Sequence, residues 1–527
     1  NDRASGEQPA GARAGLLSSG NHYDVVVVGA GPGGTYAAWR LQTGDLAPGG
    51  HRLPVEPGDR RILLVEGSYR IGGRLESLRP PGCPELPAEF GGMGFSPHDT
   101  MITAIVDDVL KIPAKPFVMP TADDLVYIRG VHLTNAQLTD PSLVPYRLAA
   151  DEVGKSPGEL LVQAIDRVIP GGSSFTTEQW RQAARTFRID GRLLTDLGYW
   201  NVLLQGMSNE AFEFCVDAMG HFFEFDNWNA AQALPWILSQ SVAPYRTLVD
   251  GYDQLPVQMY GQFAEHGGHA TFGAPVGGVT VDSTGVLTVT GASGGSVTAD
   301  RVVLAMPRRS LELIAPNSAV LGEPSVQSMM ASVTGRKVMK IFLTYADAWW
   351  NRLGITAGAS STDLPLSQTW YFDPPAGSQA ALLMASYNDT LKTTYWQGLE
   401  SGDRFPDSGP PAGPFWTQQA ASVGMVDEVQ RQLSEFHQMA VPDPYSAAYK
   451  DWSGDPFGGA YYTWDVGVDV ADVAEAMLQP DPAVALNICG SAYSQDQGWA
   501  EGALQTAEKV VTDKIGLSPA PWGNSAG

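Results

Sequence analysis

The chain holds only three cysteines in 527 residues, Cys83, Cys215 and Cys489. They stand too far apart for a CxxC metal or redox pair, and three are no disulfide framework. No metal centre is expected. Long apolar runs are also missing: none approaches the roughly 18 residues of a membrane span. The opening NDRASGEQPAGARAGLLSSG has no apolar signal core, so no targeting segment is expected. A start at Asn rather than Met suggests processing or truncation. The expected protein is soluble, cytoplasmic or secreted, and its Ala/Gly/Pro-rich composition points to a high-GC bacterial source. Basic residues are the third shortage, 33 Lys and Arg against 57 Asp and Glu, for a formal charge of −24. Nucleic acid, which needs a positive surface, is excluded as an expected partner. The acidic surplus reads as a solubilising surface, with attraction of cationic amines as the sharper alternative. Repeats at solenoid periods are absent.

What is present is an ordinary globular composition, 43% hydrophobic and 17% charged. The length exceeds one hydrophobic core, so two or three domains are expected. Residues 1–22 form a polar lead-in. YDVVVVGAGPGG then reads as a buried strand running through a glycine turn into a helix, and after a Gly/Pro-rich insertion RILLVE is a second buried strand. From 126 to 238 the apolar spacing is helical, as in SPGELLVQAIDRVI and NEAFEFCVDAMGHFF, and strand signals are sparse. Alternating segments return at GGVTVDSTGVLTVTG, RVVLAMP and KVMKIFLTY, and an amphipathic helix is expected near 417–440.

Gly29, Gly31 and Gly34 make G-x-G-x-x-G between a strand and a helix. The first permits the tight turn and the second lets backbone approach a pyrophosphate. The third allows close helix–strand packing, with the helix N-terminus facing the negative charge. A lone G-x-G-x-x-G is weak evidence in a chain with 59 glycines. Here the context fits, because Glu66 ends the next strand, where a carboxylate can bind ribose hydroxyls.

Gly72-Gly73-Arg74, shortly after Glu66, resembles the second flavin-binding motif of the flavin amine oxidase family. LVDGYDQLP, Val276 in APVGGVTV, ADRVVLAMP and NICGSAYSQDQGWAEGALQTAEKVV follow in that family's order. The chain is similar to the family from residue 23 to about 515 and most similar to its L-amino-acid oxidase branch. The resemblance implies an α/β protein: a Rossmann-type FAD-binding domain, a mixed-sheet substrate domain and a helical insertion. The FAD-binding domain would take 23–95, 239–310 and 465–515, and the substrate domain 96–125 and 311–464. The insertion would be 126–238, with a tail at 516–527. FAD is the implied cofactor. Gly73, Arg74, Gly92, Met93, Val276, Gly490, Ser491, Trp499 and Ala500 are the implied contacts beside Gly29, Gly31, Gly34 and Glu66. Ser491 stands where an acid is common.

The implied reaction is oxidative deamination of an L-amino acid, a derivative or a primary amine, giving an imine, then ammonia and hydrogen peroxide. Oxidative decarboxylation to an amide by a monooxygenase is the alternative, and a flavin-bound protein with a binding role is the non-enzymatic one. The protein's share is orientation, a dry pocket and electrostatics. Lys340, opening KIFLTY, matches the lysine that holds a water near the flavin. Trp499 is one implied aromatic wall, and Gly498 would offer its carbonyl to the amine. The other wall is Trp370 or Tyr371, since alternation lets only one face the pocket. His221 matches a substrate-side histidine of some relatives, and Phe222, Phe223 and Phe225 would line a funnel or fill a core. Homodimers are expected by analogy.

One departure bears on substrate. Amino-acid oxidases of this branch carry an arginine at the position of Gly94 in AEFGGMGFSPHD, and its planar fork fixes the substrate carboxylate. Losing that bond is worth roughly 1.5–3 kcal/mol. Three readings stay open: a substrate without a carboxylate, another arginine in its place, or a residue altered here.

Overall fold

The computed structural model describes residues 16–48, 53–221, 226–240, 244–454 and 458–522. Phe222, Phe223 and Phe225 lie outside them. The strand His22–Val28 pairs in parallel with Ile62–Val65 on one side and Ser296–Leu304 on the other. Its Val25–Val28 run is buried on both faces, the signature of a parallel sheet covered above and below. His269–Thr271 and Leu486–Ile488 add further parallel strands. The hairpin Val276–Val281/Leu287–Gly291 completes a seven-stranded sheet by antiparallel pairing. The helices Pro32–Thr43, Gln254–Glu265 and Ala500–Lys509 pack together against one face through Tyr36, Leu255, Met259 and Leu504.

A second seven-stranded sheet runs Ser446–Asp451, Val338–Tyr345, Ala381–Asp389, Gln368–Tyr371, Gly358–Thr362, Leu125–Ile128 and Val131–Thr134 in spatial order. All its pairings are antiparallel except that of Gly358–Thr362 with Leu125–Ile128. The expected helix near 417–440 is Val423–His437, which packs on this sheet through Met425, Val429 and Leu433.

The helical segment needs one correction. Its expected start, 126, falls inside this second sheet, because Leu125–Ile128 and Val131–Thr134 form a hairpin there. The hairpin turns on Arg129 (φ 48°) and Gly130 (φ 77°), the double left-handed geometry of a two-residue turn. Arg-Gly is not among the usual signals for that turn. Helices proper begin at Pro157–Val168, whose Ser156 and Glu159 form a reciprocal capping box. Thr177–Thr186, Tyr199–Gly206, Asn209–Met219 and Ala230–Gln240 follow and share one core.

Candidate active site

A cavity of about 1520 Å³ opens between the two sheets and the helical layer. One drug-sized ligand needs about 300–1,000 Å³, so this space exceeds a single small substrate.

At one end lies the glycine turn. Gly29 has φ +104°, and an added Cβ would fall 2.5 Å from the Ala305 carbonyl. At Gly34 a Cβ would fall 1.8 Å from the Gly29 carbonyl oxygen. Gly34 therefore sits behind the cavity as a packing residue, while Gly29 and Gly31 line it. Glu66 braces the turn: its two carboxylate oxygens accept the Ala30 and Ser68 amides, each at 2.7 Å. Gly73 and Arg74 line the cavity opposite Gly31. Arg74 donates to the Ala460 carbonyl at 2.9 Å and to Ser491 Oγ at 3.2 Å. Burial lowers its pKa, and among the described residues no carboxylate lies within ion-pair distance. Such a guanidinium is costly without an anion to face. Val276, Gly490 and Ser491 line the same end, as do Trp499 and Ala500 at the start of helix Ala500–Lys509. Bare glycine backbone, a carboxylate and an uncompensated guanidinium are the donor set that a dinucleotide's pyrophosphate and ribose require.

Glu501 follows directly. Its carboxylate accepts the Met101 and Ile102 amides at 2.9 and 3.0 Å, and burial pushes it up to about 7. The folded state thus keeps a proton that the unfolded chain releases above its usual 4.5. Its stabilising effect is complete below that value and lost as pH rises to about 7, a swing of order 3 kcal/mol. Glu501→Gln should flatten the fall in melting temperature over that window relative to wild type. An unchanged profile would contradict the assignment.

Gly92 and Met93 line the middle of the cavity, and Lys340 meets them there. The Lys340 ammonium, 1% exposed, donates to the Glu89 carbonyl at 2.9 Å and to the Gly91 carbonyl at 2.6 Å. It lies 4.6 Å from the Tyr387 ring centroid. Burial pulls this amine well below the lysine range, opposed by the Glu89 carboxylate. Burial, aided by Asp253, pushes Glu89 well above the carboxylate range. The interior thus favours the neutral forms of both.

Beyond Lys340 the walls are aromatic. Trp499 stacks on Tyr245 at 5.9 Å. Trp370 lines the cavity, tilts against Phe117 and donates its indole N–H to Gln368. Tyr371 does not line it, which corrects its candidacy as a wall. Alternation sends Tyr371 through the opposite face, where its hydroxyl meets His437 Nε2 at 2.5 Å. Burial takes that imidazole down to about 4. Tyr371→Phe should therefore leave turnover intact while costing roughly 1–3 kcal/mol of stability. A large loss of turnover at unchanged stability would restore it to the site.

His221 lines the cavity, 3.7 Å from Asp389 and edge-on to Tyr387. Gly498 lines it too, and an added Cβ there would come within 3.8 Å of the Tyr461 ring. Tyr461 is thus a cavity residue that the sequence analysis does not single out. Gly94 lines the cavity as well, but its neighbour explains it differently from a lost arginine. A Cβ at 94 would fall 2.4 Å from the Arg246 carbonyl oxygen. Phe95 and Arg246 exchange both backbone hydrogen bonds, at 2.9 and 2.8 Å, and so fix that approach. The Arg246 guanidinium itself pairs with Asp107 at 2.7 and 2.8 Å, outside the cavity lining.

The family described as flavin containing amine oxidoreductase matches residues 36–405. The chain belongs to that family. FAD is its cofactor, and the chain is a flavin-dependent amine oxidoreductase. Among curated relatives of this oxidoreductase, Aplysianin-A of Aplysia kurodai is 26% identical, over 93% of this chain and 90% of that protein. L-amino acid oxidase Bs29 of Bothriechis schlegelii is 23% identical, over 97% and 94%. Among solved structures, putrescine oxidase bound to putrescine superposes with a TM-score of 0.67 at 16% identity, covering 94% of this chain and 99% of that one. Cyclohexylamine oxidase from Brevibacterium oxydans IH-35A gives 0.64 at 17%, covering 94% and 98%. These likenesses bear on the fold. Among the described residues no helix of the oxidoreductase is long and apolar enough to cross a membrane.

Proposed function

We propose that this amine oxidoreductase is an oxidase of primary amines that lack a free carboxylate, releasing ammonia and hydrogen peroxide. The observation that carries the reading is how the cavity's charged and polar side chains are spent. Arg70 and Lys450 pair with Glu76, at 3.3 and 3.1 Å. Arg74 lies at the cofactor end, and Lys340 is held by two carbonyls. Ser360 accepts the Leu125 amide, Ser361 donates to Ala218, and Gln368 bridges Met219 and Trp370. No arginine among the described residues is left at the aromatic end to hold a carboxylate.

FAD supplies the two-electron oxidation of the carbon–nitrogen bond and the return of those electrons to oxygen. The residues do the rest. Trp499, with Tyr461 or Trp370, confines the amine-bearing carbon and keeps water out, which strengthens every local electrostatic interaction. Gly498 offers its carbonyl to the amine, and His221 faces the substrate body. Lys340 holds a water at the reacting face. An L-amino acid is the second reading, favoured by the name of the full-length snake relative.

The test is anaerobic mixing with a panel of primary amines. Flavin absorbance should bleach, and admitted oxygen should restore it with one peroxide released per amine oxidised. Carbon dioxide and an amide from amino acids would instead mark the monooxygenase, and a chain without flavin absorbance would sink the reading.

A further inference from the structure

One charged cluster on the cavity wall has no part in the chemistry above. Lys450 stands directly opposite Lys340 across paired strands, so the two side chains leave the same face. Lys450 Nζ lies 3.1 Å from Glu76 Oε2 and 4.7 Å from the Trp452 ring centroid. Arg70 reaches the same carboxylate at 3.3 Å and lies 5.8 Å from the same ring. Trp452 donates its indole N–H to the Phe90 carbonyl at 2.6 Å, which fixes the cluster beside the turn that Lys340 grips. Arg70, Lys450 and Trp452 all line the cavity, whereas Glu76 is only 8% exposed. Asp451, next along the strand, also lines the cavity, and its carboxylate accepts from Gln397 Nε2 at 2.7 Å and from the Ser453 amide at 2.8 Å. Arg70 and Lys450 therefore share the Glu76 carboxylate, which holds the Lys450 ammonium on the wall next to Lys340.

We propose that Lys450, supported by Arg70, is a cationic element of the oxygen half-reaction beside Lys340, stabilising the anion that forms when oxygen is reduced. This rests on the oxidase reading. Dioxygen takes two electrons and two protons from the reduced cofactor and leaves as hydrogen peroxide. The first electron makes superoxide, an anion that a nearby cation in a water-poor cavity stabilises strongly. Lys450 and Arg70 contribute charge only and exchange no proton.

The experiment uses the holoenzyme and three variants, Lys450→Met, Lys450→Arg and Glu76→Gln. Two quantities are read: the rate of reoxidation by oxygen after anaerobic reduction with amine, and the midpoint potential of the bound flavin. Lys450→Met should reoxidise about tenfold more slowly and lower the potential, and Lys450→Arg should keep both near wild type. Glu76→Gln, which removes the shared negative charge, should raise the potential, and it carries the test if Lys450→Met fails to fold. Unchanged reoxidation in Lys450→Met overturns the proposal. So does a potential that moves the same way in Lys450→Met and Glu76→Gln, the mark of distortion rather than charge. A reduced wild-type enzyme that oxygen does not reoxidise removes the oxidase reading, and this inference with it.

Discussion

Lys340→Met is expected to slow reoxidation of the reduced enzyme by roughly 100-fold or more, the low end of what a positioned proton-handling group contributes. The lysine is nearly inaccessible and gripped by the Glu89 and Gly91 carbonyls. Its head group is therefore fixed toward the cavity rather than free to find solvent. Stability should change less. Methionine leaves two buried carbonyls without a donor, at roughly 1–3 kcal/mol each, but it also relieves the burial of an ionisable amine. These opposing effects are of similar size, so the kinetic loss dominates. Stopped-flow reoxidation and a melting curve on the same preparation separate them. Rapid reoxidation in the variant would remove Lys340 from the chemistry.

Gly94→Arg is the second large effect, and its direction differs from what the sequence alone suggests. Restoring an arginine there looks like restoring carboxylate recognition. The Arg246 carbonyl lies 2.4 Å from where the new Cβ must go, and backbone pinned by two hydrogen bonds cannot yield cheaply. Overpacking of this kind costs roughly 1–3 kcal/mol or more, and it disturbs the turn that carries Met93 and Phe95. The expected variant is less stable, with activity on amino acids no higher than wild type. Gly94→Ala, which adds only the Cβ, should reproduce most of the destabilisation. A well-folded Gly94→Arg enzyme with a large gain on amino acids alone would show that the position is a vacated carboxylate site after all.

These two residues also mark what can be read along the chain. Lys340 was legible because a conspicuous block, KIFLTY, carries it in a strand. At the cofactor end the Gly34 constraint was legible because it is local, its Cβ space being closed by the Gly29 carbonyl five residues back, whereas Gly29 answers to the distant Ala305 carbonyl. Gly94 answers to Arg246, 152 positions away, so its steric cause was invisible and only the missing side chain was seen. Trp370 and Tyr371 could not be told apart because strand alternation must be counted from a fixed point. The ladder shifts between Gln368 and Trp370, which breaks the count. The hairpin at 125–134 was absorbed into the helical region because its turn is Arg-Gly. Tyr461 was overlooked because its position beside Gly498 arises from the pairing of distant segments.

The most direct measurement is kcat/KM for three compounds that share one side chain: a primary amine, the corresponding L-amino acid and its methyl ester. With no arginine among the described residues at the aromatic end, the amine and the ester should exceed the free amino acid by one to two decades, the worth of an unmet charge-assisted bond. A free amino acid that outpaces both by orders of magnitude would contradict the account and return this chain to the amino-acid oxidases.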